Sequence, residues 1–404
     1  MKKKLSSFSS LSSGLQVVIY GQFFINLGYF SLFPFISLYL LELNTSPATI
    51  GMILAARSGS NIVGMLLGGA YADRYGSKRI MNLGLLISSM GYLSLIWAFS
   101  PMSFVISFII IGLFSGFAYP AESKIIIDNT DPENRADAYG LIRTVMNLAA
   151  AIAPLIGVTI FLKWPIVSYI AIAIIQIFYV IAVFFMITEK TKEGASFPTN
   201  TIKAFTEYGL VFKDSKFMYI LLALTLSSVA YYIMETTLPM FLHQRVTDAE
   251  HLYTLLLMIN TYMVIFLQVF VTKWGKRFTH RKAAAIGQYI YFAALIIMSF
   301  SMNAWSLIFS VVLFTLGEML IASPAFVLLT EVKHESAVGK YQAIARLRLA
   351  VAQPISSLVG GFVLQIGGSM AMALSYAFFA LLGAVMLTRQ KKRSTSEKSF
   401  ESVL

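Results

Sequence analysis

Cysteine is absent from this chain, so disulfide bonds and thiolate metal sites are excluded. Histidine is nearly as scarce: the four present (His243, His251, His280 and His334) fall in loops without metal-ligand spacing, and no metal is expected. No glycine-rich loop ending in Lys-Ser or Lys-Thr is there to cradle a phosphate, which argues against a nucleotide-driven pump. Enzyme motifs are missing as well, so neither catalysis nor a cofactor is expected. Charged residues make up 12% of the sequence, and acids are the scarcer sign, 19 against 31 Lys and Arg.

What fills the chain is apolar. Hydrophobic residues account for 57% of 404 positions, with a mean hydropathy of +0.74, more than a water-facing surface can cover. The chain is therefore expected to be an integral membrane protein in contact with membrane lipid. Twelve runs, at about 15–41, 49–71, 80–99, 102–121, 139–162, 165–187, 217–242, 252–272, 283–302, 305–329, 341–361 and 370–387, are long enough to cross a hydrocarbon core of about 30 Å. They read as an all-α membrane protein of twelve transmembrane helices in two six-helix bundles. The bundles would be residues 1–187 and 217–404, the second with a cytoplasmic tail, joined by a polar cytoplasmic linker at 188–216. The first run follows three lysines but is too long for a signal-peptide core, and is expected to remain as a span.

A net charge of +12 would suggest a nucleic-acid partner in a soluble protein, but here the bases mark topology. All but six of the 31 Lys and Arg lie in segments that share one side if the N-terminus is cytoplasmic; the exceptions are Arg57, Arg143, Lys163, Arg245, Arg346 and Arg348. That asymmetry places both termini inside and removes nucleic acid from the expected partners.

One short loop organises the rest. Gly69-Ala70-Tyr71-Ala72-Asp73-Arg74-Tyr75-Gly76-Ser77-Lys78-Arg79 sets an acid, a turn glycine and several bases between two apolar runs. It resembles the signature loop of the major facilitator superfamily, G-x-x-x-D-R-x-G-R-R/K, found between that family's second and third helices. Gly69, Asp73, Arg74, Gly76 and Lys78 match; Ser77 stands where the family prefers a base, and Arg79 follows it. The resemblance implies the major facilitator fold and a latch for the outward-facing state, in which Asp73 faces a helix N-terminus and Arg74 reaches an acid such as Asp128. Solvated topogenic charges are the simpler alternative. The halves also echo one another: Pro120 and Asp128 recur as Pro324 and Glu331, and Tyr139, Arg143 and Pro154 as Tyr341, Arg346 and Pro354, as two six-helix repeats would.

In the fifth run, Gly140, Ala149, Ala153, Pro154 and Gly157 resemble the antiporter motif of drug exporters, with alanines in place of two glycines and Val158 in place of the last. An ordinary small-residue packing face reads the same positions equally well. Two carboxylates, Glu235 and Glu318, lie well inside apolar runs, where an ionised acid must be paired, solvated or protonated. Together with Thr315-Leu-Gly-Glu318 ahead of Pro324, they are similar to those of lactococcal-type multidrug/proton antiporters. This narrower resemblance implies proton-coupled efflux of hydrophobic, cationic compounds by a monomer in a bacterial cell membrane, with Glu235 and Glu318 carrying protons and attracting substrate. The group's acid in the fifth helix is replaced here by Ile142-Arg143, and Arg57 is added in the second run. Arg57 could hold an anionic substrate group, pair with an acid, or snorkel to the surface. An anionic metabolite or an anionic lipid therefore stays open as cargo. Asn26, Tyr29, Tyr231 and Tyr232 are cavity candidates because they sit beside polar residues on helices that line the cleft in the family, and Arg143 and Arg346 are candidates for gate ion pairs or lipid phosphate contacts.

Overall fold

The computed structural model describes residues 11–188, 211–330 and 338–389, and all regular structure among them is helical. The lysines at 2–4, most of the linker, Glu331 and the basic tail lie outside the described residues. Helix starts follow local chemistry. Ser12, Ser46, Ser100, Asp214, Asp248 and Thr279 each accept a backbone N–H of the first turn through their side chains, meeting donors that a helix N-terminus leaves open. Pro47, Pro101 and Pro165 stand in first turns, where the missing N–H costs nothing.

The N-terminal half contains α1 (Ser13–Leu32), α2 (Ile36–Glu42), α3 (Pro47–Tyr75), α4 (Ser77–Ser94), α5 (Pro101–Asp128), α6 (Arg135–Ile156) and α7 (Pro165–Met186). Gly76 alone separates α3 from α4, at φ 92°, a conformation that a Cβ would strain. This is the turn of the signature loop. The C-terminal half contains α8 (Ser215–Tyr231), α9 (Ile233–Thr236), α10 (Leu238–His243), α11 (Ala249–Gly275), α12 (His280–Phe300), α13 (Ala304–Thr330) and α14 (Val338–Arg389). At 1.5 Å per residue, the 52 residues of α14 would reach about 78 Å, far more than one hydrocarbon core. Gly368, at φ 72° and ψ −178°, interrupts the helix and divides it into two arms, residues 338–367 and 369–389. Among the described residues, eleven helical segments are long and apolar enough to cross a membrane, the bent one counted once.

Small residues bring the helices together. A Cβ on Gly64 or Gly68 of α3 would run into the α5 backbone at Leu113 or Phe117, so the two helices meet main chain to main chain, as helices in lipid commonly do. The prolines expected to repeat between halves do so inside helices: Pro120 in α5 and Pro324 in α13, Pro154 in α6 and Pro354 in α14.

The halves touch at the end away from the Gly76 turn. There Ser37 donates to the Thr236 carbonyl (3.1 Å), the Ala48 N–H donates to Gln365 Oε1 (3.1 Å), and Phe35 meets Tyr253 edge to face at 5.4 Å. A Cβ on Gly361 of α14 would lie 2.5 Å from the Pro47 carbonyl oxygen and 2.9 Å from Gly51 Cα of α3. At the Gly76 end they face each other across a cavity of about 590 Å³ with Arg143 on one side and Gln268, Arg346 and Arg348 on the other. Connectors at the touching end are short: residues 43–46, 98–100, 162–164, 244–248, 301–303 and Gly368. The longest of these, 244–248, is held down by Arg245, which donates to Ser369 Oγ (2.7 Å) and to the carbonyls of Ser299 and Ser301 (3.3 Å each).

Four of the differences from the sequence reading bear on the site. The first run is broken at 33–35 between α1 and α2. The fourth run continues to Asp128, so Glu122, expected in a cytoplasmic link, is helical and 6% exposed. The fifth begins at Arg135 and ends in a π-helical turn, Gly157–Phe161, three residues past Pro154. The seventh is broken into α8, α9 and α10. Pro239 lacks the backbone N–H that would bond the Glu235 carbonyl four residues back, and here, unlike at Pro120, Pro154, Pro324 and Pro354, the helix breaks.

Candidate functional site

Glu235 lies in the four-residue α9, between turns at Tyr232 and Thr237. Interrupted backbone at membrane depth is tolerated where it lines a cavity, and a cavity of about 180 Å³ opens here. Phe30, Pro34, Asn147 and Pro154 line it from the N-terminal half, and Tyr231, Glu235, Asn260, Thr261 and Glu318 from the C-terminal half. Both carboxylates singled out in the sequence thus share one space, half-buried, and are close enough to interact electrostatically. No basic residue is among those lining it.

Glu318 accepts a hydrogen bond from Asn260 Nδ2 at 2.8 Å, and the same amide reaches Thr315 Oγ1 at 3.0 Å. A neutral amide leaves the carboxylate's charge in place, so the acid is oriented but not paired. Glu235 has a different environment, in which the Tyr29 hydroxyl and the Arg57 guanidinium both act on its carboxyl. Tyr231 sits next to both acids, and its ring meets that of Tyr232 at 5.4 Å. Tyr29 stacks on Phe33 at 4.8 Å, and Gln353 of α14 reaches its hydroxyl at 3.5 Å.

Of the three roles open to Arg57, the snorkelling one does not describe this structure. Its guanidinium carbon lies 3.6 Å from the Phe33 ring centroid and 4.8 Å from that of Tyr29, and its Nε is buried without a hydrogen-bond partner. An aromatic cradle of this kind holds a cation in place while leaving donors unsatisfied.

The sequence profile of the Major Facilitator Superfamily matches residues 18–248 and 246–403. The chain belongs to this superfamily. Among its relatives is a Na(+), Li(+), K(+)/H(+) antiporter of Planococcus maritimus, 24% identical over 404 residues, covering 92% of this chain and 95% of the relative. Another is the multidrug resistance protein MdtH of Edwardsiella ictaluri, 24% identical over 390 residues, covering 93% and 92%. The same fold occurs in the nucleoside transporter NupG (TM-score 0.79, 12% identity, 94% of this chain and all of that one) and in the peptide transporter POT (TM-score 0.75, 16% identity, 95% of each). The protein is a facilitator-type transporter of the cell membrane and not an enzyme.

In this facilitator the signature loop holds a contact the sequence reading did not name: Asp73 pairs with Lys124 of α5 at 2.8 Å. Arg74 lies 4.9 Å from the Tyr75 ring and Lys78 Nζ 5.1 Å from that of Phe184, while Asp128 ends α5 and Arg79 is exposed. Gly69 has its nearest neighbour, Pro120 Cβ, at 3.9 Å from an added Cβ, so the close approach belongs to Gly64 and Gly68. In the antiporter-like stretch Gly140 faces open space, whereas Ala149 and Ala153 are fully buried and Gly157 packs under Phe35 at the start of the π turn. Arg143 and Arg346 share the 590 Å³ cavity with Arg348. Asn26 turns away from the acids and donates to Gln22 Oε1 at 2.8 Å.

Two residues, one hydrogen-bonded to a cavity carboxylate and one itself a buried carboxylate, were not singled out in the sequence reading. Asn260 stood beside Thr261, with Gln268 two turns on, in a long apolar run, a usable signal. Glu122 stood at the end of a run beside Ser123 and Lys124, where an exit into the cytoplasm is the natural reading.

Proposed function

We propose that this facilitator is a proton-coupled exporter of hydrophobic, cationic small molecules. The observation that carries the reading is the shared cavity in which two acids, two amides and aromatic rings meet without a lining base. Such a surface suits a flat, positively charged compound, and the acids can exchange it for protons if both compete for the same oxygens. The names of the antiporter and multidrug-resistance relatives support it. In this reading the chain crosses the membrane twelve times, each arm of α14 counting once, in two bundles joined by the 188–216 linker. The termini are cytoplasmic, and the touching end of the halves is the outer one. Glu235 and Glu318 take the protons; Tyr29, Tyr231 and Tyr232 shape the aromatic wall.

The test is uphill export of ethidium in proteoliposomes under an imposed proton gradient. Glu318→Gln should abolish it and weaken ethidium binding while leaving thermal stability close to normal. Unchanged proton-driven export in that variant would reject the assignment.

A second reading has its own observation: Arg57 and Arg348 each bury an Nε without a hydrogen-bond partner, and three arginines line the larger cavity. An anionic metabolite or lipid headgroup would use those donors bidentately. Stabilisation by anions alone, in a thermal-shift comparison with cationic dyes, would favour it.

A further inference from the structure

The most deeply buried carboxylate among the described residues is in neither cavity. Glu122 of α5 is 6% exposed, and both of its oxygens are engaged. The Tyr179 hydroxyl of α7 donates to Oε1 at 2.5 Å, and Gln22 of α1 donates through Nε2 to Oε2. Asn26, one turn along α1, in turn donates to Gln22 Oε1 at 2.8 Å and to the Gln22 carbonyl at 2.7 Å. A hydrogen-bonded chain therefore runs Asn26, Gln22, Glu122, Tyr179 across three helices of one bundle, with Glu122 its one carboxyl group. Its far end is built around a missing side chain: a Cβ on Gly21 would overlap the Tyr179 ring.

Both hydrogen bonds to this acid come from neutral groups. The titratable neighbour from α7 is Tyr179, and that from α6 is Tyr139. The contact from α1 is the neutral Gln22; on α5 itself Lys124 is paired with Asp73 of α3, and α4, packed along α5, carries Lys78 against the Phe184 ring and the exposed Arg79 in its first turn. Two hydrogen bonds orient a carboxylate but leave its charge uncompensated, and a buried unpaired charge costs several kcal/mol. Only a proton is small enough to neutralise it without displacing Gln22 or Tyr179. Gln22 and Asn26 are half-buried, whereas Tyr179 is buried, so the Gln22–Asn26 side is the less enclosed side of the site.

We propose that Glu122 is a second proton-binding site, lying wholly within the N-terminal bundle and loaded and emptied during each transport cycle. The carboxylate takes a proton from water on the Gln22–Asn26 side and returns it there, with no other bond made or broken. The cavity acids are both on the C-terminal half, so each bundle then carries its own proton site. This rests on the proton-coupled reading above, and its consequence is stoichiometric: each substrate exchanges for one proton more than the cavity acids alone supply.

The experiment uses the full chain in proteoliposomes, measuring proton and ethidium fluxes together, with infrared difference spectra of the same protein titrated in pH without substrate. Glu122→Gln should keep ethidium binding, lower the proton-to-ethidium ratio by one, and remove one carbonyl band of a protonated carboxyl group. An unchanged ratio with an unchanged set of bands would overturn the proposal. If the native protein moves no protons, the proton-coupled reading fails by itself, and the infrared band still decides whether Glu122 binds one. If Glu122→Gln fails to fold, Tyr179→Phe keeps the carboxylate but removes one donor to its ionised form. The band's midpoint should then move to higher pH, and an unmoved midpoint would overturn the proposal.

Discussion

Adding one methyl group at Gly361 should open the seam that joins the two halves. A Cβ there would sit 2.5 Å from the Pro47 carbonyl oxygen, 2.9 Å from Gly51 Cα and 3.2 Å from Gly51 N, where ordinary contact begins at 3.4 Å. All three atoms are backbone, so no side chain can rotate away, and α3 and α14 must part by roughly 0.9 Å. Overpacking of a tight contact costs about 1–3 kcal/mol. Because the cost falls only on the conformation in which the seam is closed, it shifts the ratio of conformations by about 5- to 150-fold towards the one in which this end is open. The chain's lack of cysteine lets spin labels be placed at will, for example at the exposed Leu43 and Ile366. Gly361→Ala should lengthen the distance between them, and Gly51→Ala should do the same. The double variant should add little, since one separation relieves both clashes. Gly59→Ala on the same α3 is the control, as nothing lies within 4 Å of an added Cβ there. An unchanged distance distribution in Gly361→Ala would show that the seam is softer than its backbone contacts imply and refute the reasoning.

Other outcomes follow from single contacts. Asp73 is held by Lys124 in this conformation, through a pair with side-chain exposures of 73% and 39% that is worth at most about 1 kcal/mol. If Asp73 latches the outward-facing state, Lys124→Met should favour that state by freeing the acid and Asp73→Asn should disfavour it; equal effects of both on distances across the Gly76 end would discard the latch. Asp248 caps α11 by accepting the His251 N–H at 3.4 Å and pairs with His251 Nδ1 at 2.7 Å, and the His251 hydrogen bond holds its carboxyl below the usual range. Its contribution is therefore complete above the ordinary carboxylate range and fades as pH falls through the lowered value. Asp248→Ala should cost a few tenths to about 1 kcal/mol, seen as a lower melting temperature in detergent at neutral pH, with the difference vanishing in acid.

Much of the fold could be read from the chain because lipid makes hydropathy nearly sufficient: spans, serine caps and first-turn prolines are local features. The signature loop was legible for the same reason, since Gly76 must turn where no other residue would. Glu235 and Glu318 announced themselves as acids in apolar runs. What stayed hidden depended on partners distant in sequence. Glu122 is buried only because α1 and α7 bring Gln22 and Tyr179 to it from 100 and 57 residues away. Asn260 finds Glu318 across 58 residues, and nothing local says that Arg57 would lie on Phe33. The breaks flanking Glu235 were half visible, in Pro239 but not in Tyr232.

The short connectors at the touching end carry a further consequence. With no stretch there longer than residues 244–248, this face has no flap to fold across an exit and no arm to receive a cargo or recruit a second protein. If cargo leaves by this end, as the proposed function has it, its departure is governed by how far rigid helix ends swing apart, not by the slower rearrangement of a covering loop. A nearly flush face also offers antibodies and proteases little to hold. The same economy leaves the chain few places at that end to accept an inserted tag without disturbing a span.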